Sequence, residues 1–190
     1  MLALTEVRAG PVHELSQASE PIAALRALDP NAWNDLFERY YRKMYNFAYV
    51  RTGDVEASEE IASEVFAAAA RGIPRYRETG APIGAWLYRI ARNITADFVD
   101  KRRKRPAVSL EATQLDIETS DPDVESAADL ARSVAKLTRE QQEVIALRFY
   151  NDCSLQEAAA ALGKTVGAVK LLQHRALAAL RRQLSPEAGR

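Results

Sequence analysis

Apolar and aromatic residues recur at intervals of three and four along most of this chain, which is the period of an α-helix. No stretch alternates with the period of two that a half-buried strand shows, so the sequence predicts an all-α protein. Turn signals rich in glycine, proline and aspartate separate the amphipathic stretches. Helices are expected at about 21–28, 32–51, 55–71, 83–103, 124–136, 139–150, 155–162 and 165–184.

Two of these helices carry wide apolar faces, and we expect both faces to be buried in a helical core. The first long helix contributes Trp33, Leu36, Phe37, Tyr40, Tyr41, Met44, Tyr45, Phe47 and Ala48. The helix at 83–103 contributes Trp86, Leu87, Ile90, Ala91, Ile94 and Phe98.

The last third of the chain contains a helix-turn-helix pattern at 155–172. Ala158 and Ala159 are small residues at the place where two steeply crossing helices approach each other. Gly163 falls where the chain turns and where a positive φ is needed, and Thr165 can cap the second helix. The motif usually places its second helix in the major groove of DNA, so it indicates a reader of DNA sequence.

Charge is strongly segregated, although 26 basic and 26 acidic residues balance overall. Residues 54–64 contain five acids and no base, and residues 106–131 contain seven acids and no base. Residues 75–105 carry nine bases against three acids, and residues 163–185 carry five bases and no acid. Separate acidic and basic surfaces predict several partners of opposite charge. Because the segment 106–125 is also rich in Thr, Ser, Asp and Pro, we interpret it as a linker between two helical domains.

The residue inventory offers little chemistry for catalysis. Cys153 is the only cysteine, and His13 and His174 are the only histidines, so the sequence excludes an internal disulfide and a Cys/His zinc site. We interpret Cys153 as a small residue before a helix. No phosphate loop or nucleophile motif is present, and we expect no enzyme activity, no small-molecule substrate, no metal and no cofactor. No apolar run reaches the roughly 20 residues that span a bilayer, and the N-terminus is unlike a signal peptide, so we expect a cytoplasmic protein without membrane insertion.

Three motifs, in this order, resemble those of the extracytoplasmic-function sigma factors, the smallest class of bacterial RNA polymerase sigma subunits and group IV of the sigma-70 family. Residues 53–66 resemble the helix that binds core polymerase. Residues 86–97, with the basic tail after them, resemble the helix that melts the promoter and recognises its minus-ten element. Residues 137–150, followed by the helix-turn-helix, resemble the reader of the minus-thirty-five element. The resemblance covers about 32–184, most of the chain.

The resemblance implies two small helical domains, sigma domain 2 and sigma domain 4, joined by the acidic linker. The expected bounds are a flexible tail at 1–19, domain 2 at 20–105, the linker at 106–125, domain 4 at 126–185 and a tail at 186–190. The linker is either a plain tether or an acidic mimic of nucleic acid in the polymerase channel that later holds RNA. A flexible tether predicts that the placement of the two domains varies in the free protein. Because the sequence ends at Arg190 without an appended sensory domain, we expect control by a separate anti-sigma factor.

The resemblance also implies three sets of binding residues. The set for core polymerase is Asp54, Glu59, Glu60 and Glu64. The set for minus-ten DNA is Tyr76, Arg89, Arg92, Asn93, Lys101, Arg102 and Arg103. The set for minus-thirty-five DNA is Thr165, Ala168, Lys170, Leu171, His174 and Arg175. The loop at 75–83 and Leu171 depart from the family pattern, so the promoter sequence is not inferred.

The expected function is that of an alternative sigma factor, with core RNA polymerase, promoter DNA and an anti-sigma factor as partners. The alternative is a self-sufficient helix-turn-helix regulator, which usually dimerises on paired half-sites. That alternative gives no role to the acidic helix at 54–64. An enzyme lacks a supporting motif, and a helical adaptor without DNA contact leaves the basic tail of the 83–103 helix unexplained.

Overall fold

The computed structural model describes residues 21–104 and 122–185, and within these ranges it contains α-helices and no strand. The all-α prediction is therefore confirmed for the described part of the chain. The helices are α1 (Ile22–Arg26), α2 (Pro30–Thr52), α3 (Val55–Gly72), α4 (Ile83–Lys104), α5 (Pro122–Ala135), α6 (Arg139–Ile145), α7 (Leu155–Leu162) and α8 (Val166–Leu184). A 3-10 turn, Ile73–Arg75, follows α3, and a π-helical turn, Ala146–Tyr150, follows α6. The expected tails at 1–19 and 186–190 and the linker up to residue 121 lie outside the described residues.

Local capping chemistry sets where the helices begin and end. The Asp29 carboxylate accepts a hydrogen bond from the Ala32 amide at 2.9 Å and starts α2, which ends at Gly53 in the left-handed conformation. Helix α7 likewise ends at a glycine in the left-handed conformation, Gly163, with φ 63°. The Thr165 hydroxyl accepts a hydrogen bond from an amide in the first turn of α8. The predicted glycine turn and threonine cap of the helix-turn-helix are both confirmed.

Helices α2, α3 and α4 pack against one another and form the first unit. Its fully enclosed side chains include Leu36, Met44, Phe47, Ile61, Val65 and Leu87. Gly84 permits a close approach between α4 and α2, because a Cβ placed there would lie 2.6 Å from a ring carbon of Tyr40. The second unit consists of α5 to α8, in which α8 packs on α5, α6 and α7.

The two units are packed against each other rather than separated. Helix α4 contacts α7, and α2 contacts α5, α6 and the π-helical turn. The sequence predicts a variable placement on a flexible tether, whereas this structure shows one placement with direct contacts between the units. Charged and amide side chains make many of those contacts, and a sequence pattern does not show which of them meet.

Some aromatic residues do not lie where the apolar periodicity places them. Phe37 is 43% exposed, although the expected buried face of α2 includes it. In α4, Trp86 and Phe98 are only partly buried, whereas Tyr88 is enclosed. The reason is that α4 is covered on two sides, by α2 and α3 and by α7, so its buried face is rotated toward Tyr88.

No helix in the described ranges is both long enough and apolar enough to cross a membrane.

We expect Gly84→Ala to lower the stability of the fold by about 1–3 kcal/mol, because the added methyl group must displace the Tyr40 ring. Thermal unfolding followed by circular dichroism measures this. Gly167→Ala is the matched control, since a Cβ there meets only the Thr165 hydroxyl at 4.0 Å. That change should leave the stability equal or raise it by up to about 1 kcal/mol. Equal melting temperatures for Gly84→Ala and the wild type would contradict the packing described here.

Candidate functional surfaces

Helix α3 presents its acids to solvent along one face. Its opposite face is buried through Ile61, Val65 and Ala69, among others. Glu59 and Glu60 are exposed, because helical spacing places them away from that buried face. The structure thus leaves these two acids accessible to a basic partner.

The other two acids of the polymerase set have partners within the chain. The exposed Glu64 carboxylate accepts a hydrogen bond from Arg71 at 2.6 Å. Asp54 caps α3 by accepting from the Ala57 amide at 3.0 Å, and it also pairs with Arg102 at 2.9 Å. The Ala57 amide, and after it Arg102, hold the pKa of Asp54 below its usual value. Asp54 therefore has a structural role as the start of α3 and joins the acidic helix to the basic end of α4.

An aromatic patch lies beside the acidic face. The Phe37 ring stacks on Tyr41 at 4.6 Å between centroids and contacts Phe66 at 4.8 Å. Since Phe37 remains 43% exposed, the patch adds apolar surface next to the charged face of α3. Periodicity alone assigned Phe37 to the core and so missed this surface.

Basic side chains line the exposed side of α4 and its C-terminal end. Arg89, Asn93, Lys101 and Arg103 are all exposed. Tyr76 differs from its expected role, because its ring is buried and packs on Trp86 at 4.9 Å between centroids. Its carbonyl accepts a hydrogen bond from Arg26 at 2.7 Å. In this structure Tyr76 is a core residue and is not available to stack on a nucleotide base.

Arg92 is turned toward the second unit, with 30% of its side chain still exposed. Its Nε lies 3.2 Å from the Glu143 carboxylate, and its Nη1 lies 3.5 Å from the Leu162 carbonyl oxygen. The Glu143 side chain is fully enclosed and also pairs with Arg51 at 3.5 Å and with Arg139 at 3.0 Å. Burial lowers the pKa of Arg51, and the attraction of Glu143 opposes that shift. One carboxylate from α6 thus holds one arginine from each of α2 and α4.

Neutral hydrogen bonds surround this charged centre. Asn46 on α2 donates to the Tyr150 carbonyl at 3.2 Å and to the Asn151 side-chain oxygen at 3.1 Å. Asn151 in turn donates to the Lys43 carbonyl at 2.9 Å. Nearby, the buried Cys153 thiol lies 3.6 Å from the Tyr88 hydroxyl, and burial raises the pKa of this thiol. Cys153 does precede a helix, as expected, but it also lies at the contact between the units.

The second helix of the helix-turn-helix, α8, buries Val169, Ala176 and Leu180 and leaves the opposite face open. The residues predicted to contact minus-thirty-five DNA mostly lie on that open face. Thr165, Lys170, Leu171, His174 and Arg175 are exposed, and Ala168 is half-buried. Lys164, just before the helix, is bound to Glu140 at 2.7 Å and is not part of this face.

Sequence reasoning missed the residues that join the units. The sequence carries no local signal of these contacts; in the structure residues 142–147 are buried without interruption, including the polar side chains of Gln142 and Glu143. A helical stretch that is buried all round must be covered by other elements of the fold on every side. A carboxylate in such a position requires charged partners. Which arginines supply them depends on tertiary structure.

Models of two conserved regions match this chain at the places where the two units lie. Sigma-70 region 2 matches residues 36–105, and Sigma-70 region 4 matches residues 134–182. The first match contains most of α2 and all of α3 and α4 with the acidic and basic faces, and the second contains the helix-turn-helix. The chain belongs to the extracytoplasmic-function sigma factors. We therefore call the first unit region 2 and the second unit region 4.

Relatives of known identity agree with this assignment. The sigma factor BldN of Streptomyces coelicolor is 34% identical over 89% of this chain and 66% of its own length. SigD of Mycobacterium tuberculosis is 33% identical over 86% of this chain and 82% of its own length. Among solved structures, CnrH in complex with the cytosolic domain of CnrY is 26% identical, with a TM-score of 0.61 over 86% of this chain and 94% of that chain. The expected family is confirmed.

We expect Asp54→Ala to cost about 1 kcal/mol of stability, because the first turn of α3 loses its cap. Asp54→Asn keeps a capping oxygen and loses the charge, so it should cost less, since its pair with Arg102 is partly exposed. Chemical unfolding at pH 7 compares the two variants with the wild type.

The pH dependence has a defined sign. The pKa of Asp54 is lower in the folded state than in the unfolded state. The carboxylate therefore contributes its full stabilisation above the unfolded-state pKa of about 3.9, and this stabilisation is lost as the pH falls through the folded-state pKa. The difference in the free energy of unfolding between Asp54→Ala and the wild type should become smaller in acid. A gap that widens below pH 4 would contradict this account.

Proposed function

We propose that this protein is an alternative sigma subunit that binds core RNA polymerase through α3 and directs transcription from promoters read by α4 and α8. In this role it acts in the cytoplasm as an initiation factor and catalyses no reaction of its own. Binding energy and specificity come from its surfaces.

The observation that carries the proposal is the open face of α8. Lys170 and His174 lie about one helical turn apart, and Arg175 follows His174, on a helix whose other face is buried in region 4. A helix presented in this way fits the major groove, where lysine and arginine reach guanine edges and phosphates. Leu171 stands on the same face and offers an apolar contact to a thymine methyl group.

Polymerase binding is assigned to the acidic face of α3. Glu59 and Glu60 are exposed there, and the aromatic patch of Phe37, Tyr41 and Phe66 lies next to that face. Acidic charge speeds and orients association with a basic partner, whereas the apolar patch adds affinity. We assign Asp54 and Glu64 secondary roles, because each already has a partner within the chain.

Promoter melting is assigned to the exposed side of α4. Arg89, Lys101 and Arg103 would contact phosphates, and Asn93 would contact an unstacked base. An anti-sigma factor is proposed as the inhibitor that keeps these surfaces from polymerase. The relative CnrH supports this, since its structure contains a second protein bound to it.

Run-off transcription with bacterial core polymerase tests the polymerase surface. Glu59→Lys combined with Glu60→Lys should reduce discrete transcripts at least tenfold at limiting protein, because the charge that attracts polymerase is reversed. Fold stability should hardly change, since both side chains are exposed. Asp35→Lys, at another exposed acid on α2, is the control and should keep full activity. Sequence-specific DNA binding by the protein alone, without polymerase binding, would favour the self-sufficient regulator.

Promoter binding by the reconstituted holoenzyme tests the recognition helix. Lys170→Ala and Arg175→Ala should each weaken binding roughly tenfold or more, as expected for a lost base contact of about 1–3 kcal/mol. Arg182→Ala is the matched control in the last turn of the same helix and should change affinity less than twofold. Competition with unrelated DNA separates base contacts from phosphate contacts. Equal losses on promoter and unrelated DNA would contradict a base-reading role.

A further inference from the structure

We propose that Glu143, Arg51 and Arg92 form a latch that holds regions 2 and 4 together in the free protein and withholds Arg92 from DNA. In this closed form the Glu143 carboxylate occupies Arg92 as a DNA phosphate would. The latch opens when the protein binds polymerase and promoter. The assignment of Arg92 to DNA rests on the function proposed above, whereas the closed form itself rests on the contacts between the regions.

The first argument is geometric. The two promoter elements are centred near positions minus ten and minus thirty-five, so roughly 25 base pairs, or about 85 Å of B-DNA, separate them. Helix α4 touches α7, and α8 packs directly on α7. Axes of packed helices lie about 8–10 Å apart, and the 19 residues of α8 extend about 28 Å. A closed molecule of these dimensions cannot reach both elements at once.

The second argument concerns the chemistry of the contact. The Glu143 side chain has no exposed surface, and that of Arg51 is only 7% exposed. Arg139 pairs with Glu143 from within α6 and stays with it when the regions part. Arg51 and Arg92 belong to region 2, and opening returns them to solvent or to phosphate. Apolar side chains of both regions also pack at this contact. The charged and amide groups regain hydration when the regions part, which lowers the cost of separating them.

The third argument is that the latch has a second attachment. Asn46 and Asn151 join α2 to the end of the π-helical turn through hydrogen bonds of 2.9–3.2 Å. These bonds are independent of the charged centre. Asn46 lies on the surface of region 2, so its loss weakens the contact between regions without removing a core residue of either region.

Cys153 provides a built-in probe of opening. It is the only cysteine in the sequence, it is 3% exposed, and the Tyr88 hydroxyl of region 2 contacts its sulfur. Separation of the regions removes that cover, and a buried thiol becomes reactive only when it is uncovered. The rate at which the free protein reacts with a maleimide therefore measures how often the closed form opens.

The experiment compares maleimide reaction rates at Cys153 in two latch variants and two matched controls. Glu143→Gln removes the carboxylate and leaves three guanidinium groups to repel one another, and Asn46→Ala removes the second attachment. Both should react at least tenfold faster than the wild type. Glu140→Gln, on the same helix as Glu143, and Asn34→Ala, on the same helix as Asn46, should react at the wild-type rate. Helical content and thermal unfolding identify any variant that has lost its fold.

Wild-type rates in both latch variants, with the fold retained, would overturn the proposal. If Glu143→Gln fails to fold, the reaction rate of Cys153 in Asn46→Ala alone decides the question.

A second measurement separates the latch from the proposed function. Dyes on Asn34→Cys and Gln183→Cys, both at exposed sites, report the distance between regions by energy transfer in a protein whose own thiol is removed by Cys153→Ala. Addition of core polymerase should reduce the transfer at least twofold. Polymerase binding and promoter-specific transcripts with unchanged transfer would overturn the latch and leave the sigma function intact. Faster reaction of Cys153 in the variants, without any binding to polymerase, would support the closed form and overturn the sigma function.

Discussion

The buried carboxylate of Glu143 is the constraint on which the arrangement of the two regions depends. A carboxylate with no exposed surface is stable only if positive charge accompanies it into the interior. Its own helix supplies Arg139, and the remaining charge comes from Arg51 and Arg92 across the boundary. The requirement of one side chain in region 4 is therefore met by two helices of region 2.

The helices were predictable because their signals are local. Asp29, Asp54 and Thr165 each cap a helix through an amide three residues away, and Gly163 turns the chain with a positive φ. Such signals need no knowledge of the rest of the fold. The contact between regions lacks a local signal, since Asn46 meets its partners more than 100 positions along the chain. That contact was beyond sequence reasoning for this reason.

The same distinction divides the candidate binding residues. Exposure of Lys170 and His174 follows from helical periodicity once the buried face of α8 is recognised. The exposure of aromatic residues was harder to predict, because aromatic rings occur both in cores and on binding surfaces. Tyr76 is buried since Trp86 lies beside it, and Phe37 is exposed since α3 covers only one side of it. Only the tertiary neighbours decide between those outcomes.

Two of the arginines assigned to DNA are held by acids of the same chain, and the two pairs differ in a way that matters for control. The Arg102–Asp54 pair is partly exposed, so salt screens it and DNA can compete for Arg102 at little cost. The Arg92–Glu143 pair is enclosed on the carboxylate side, so salt screens it poorly. Competition for Arg92 therefore requires the regions to part first. Release of Arg92 is therefore tied to opening of the molecule, whereas release of Arg102 is not.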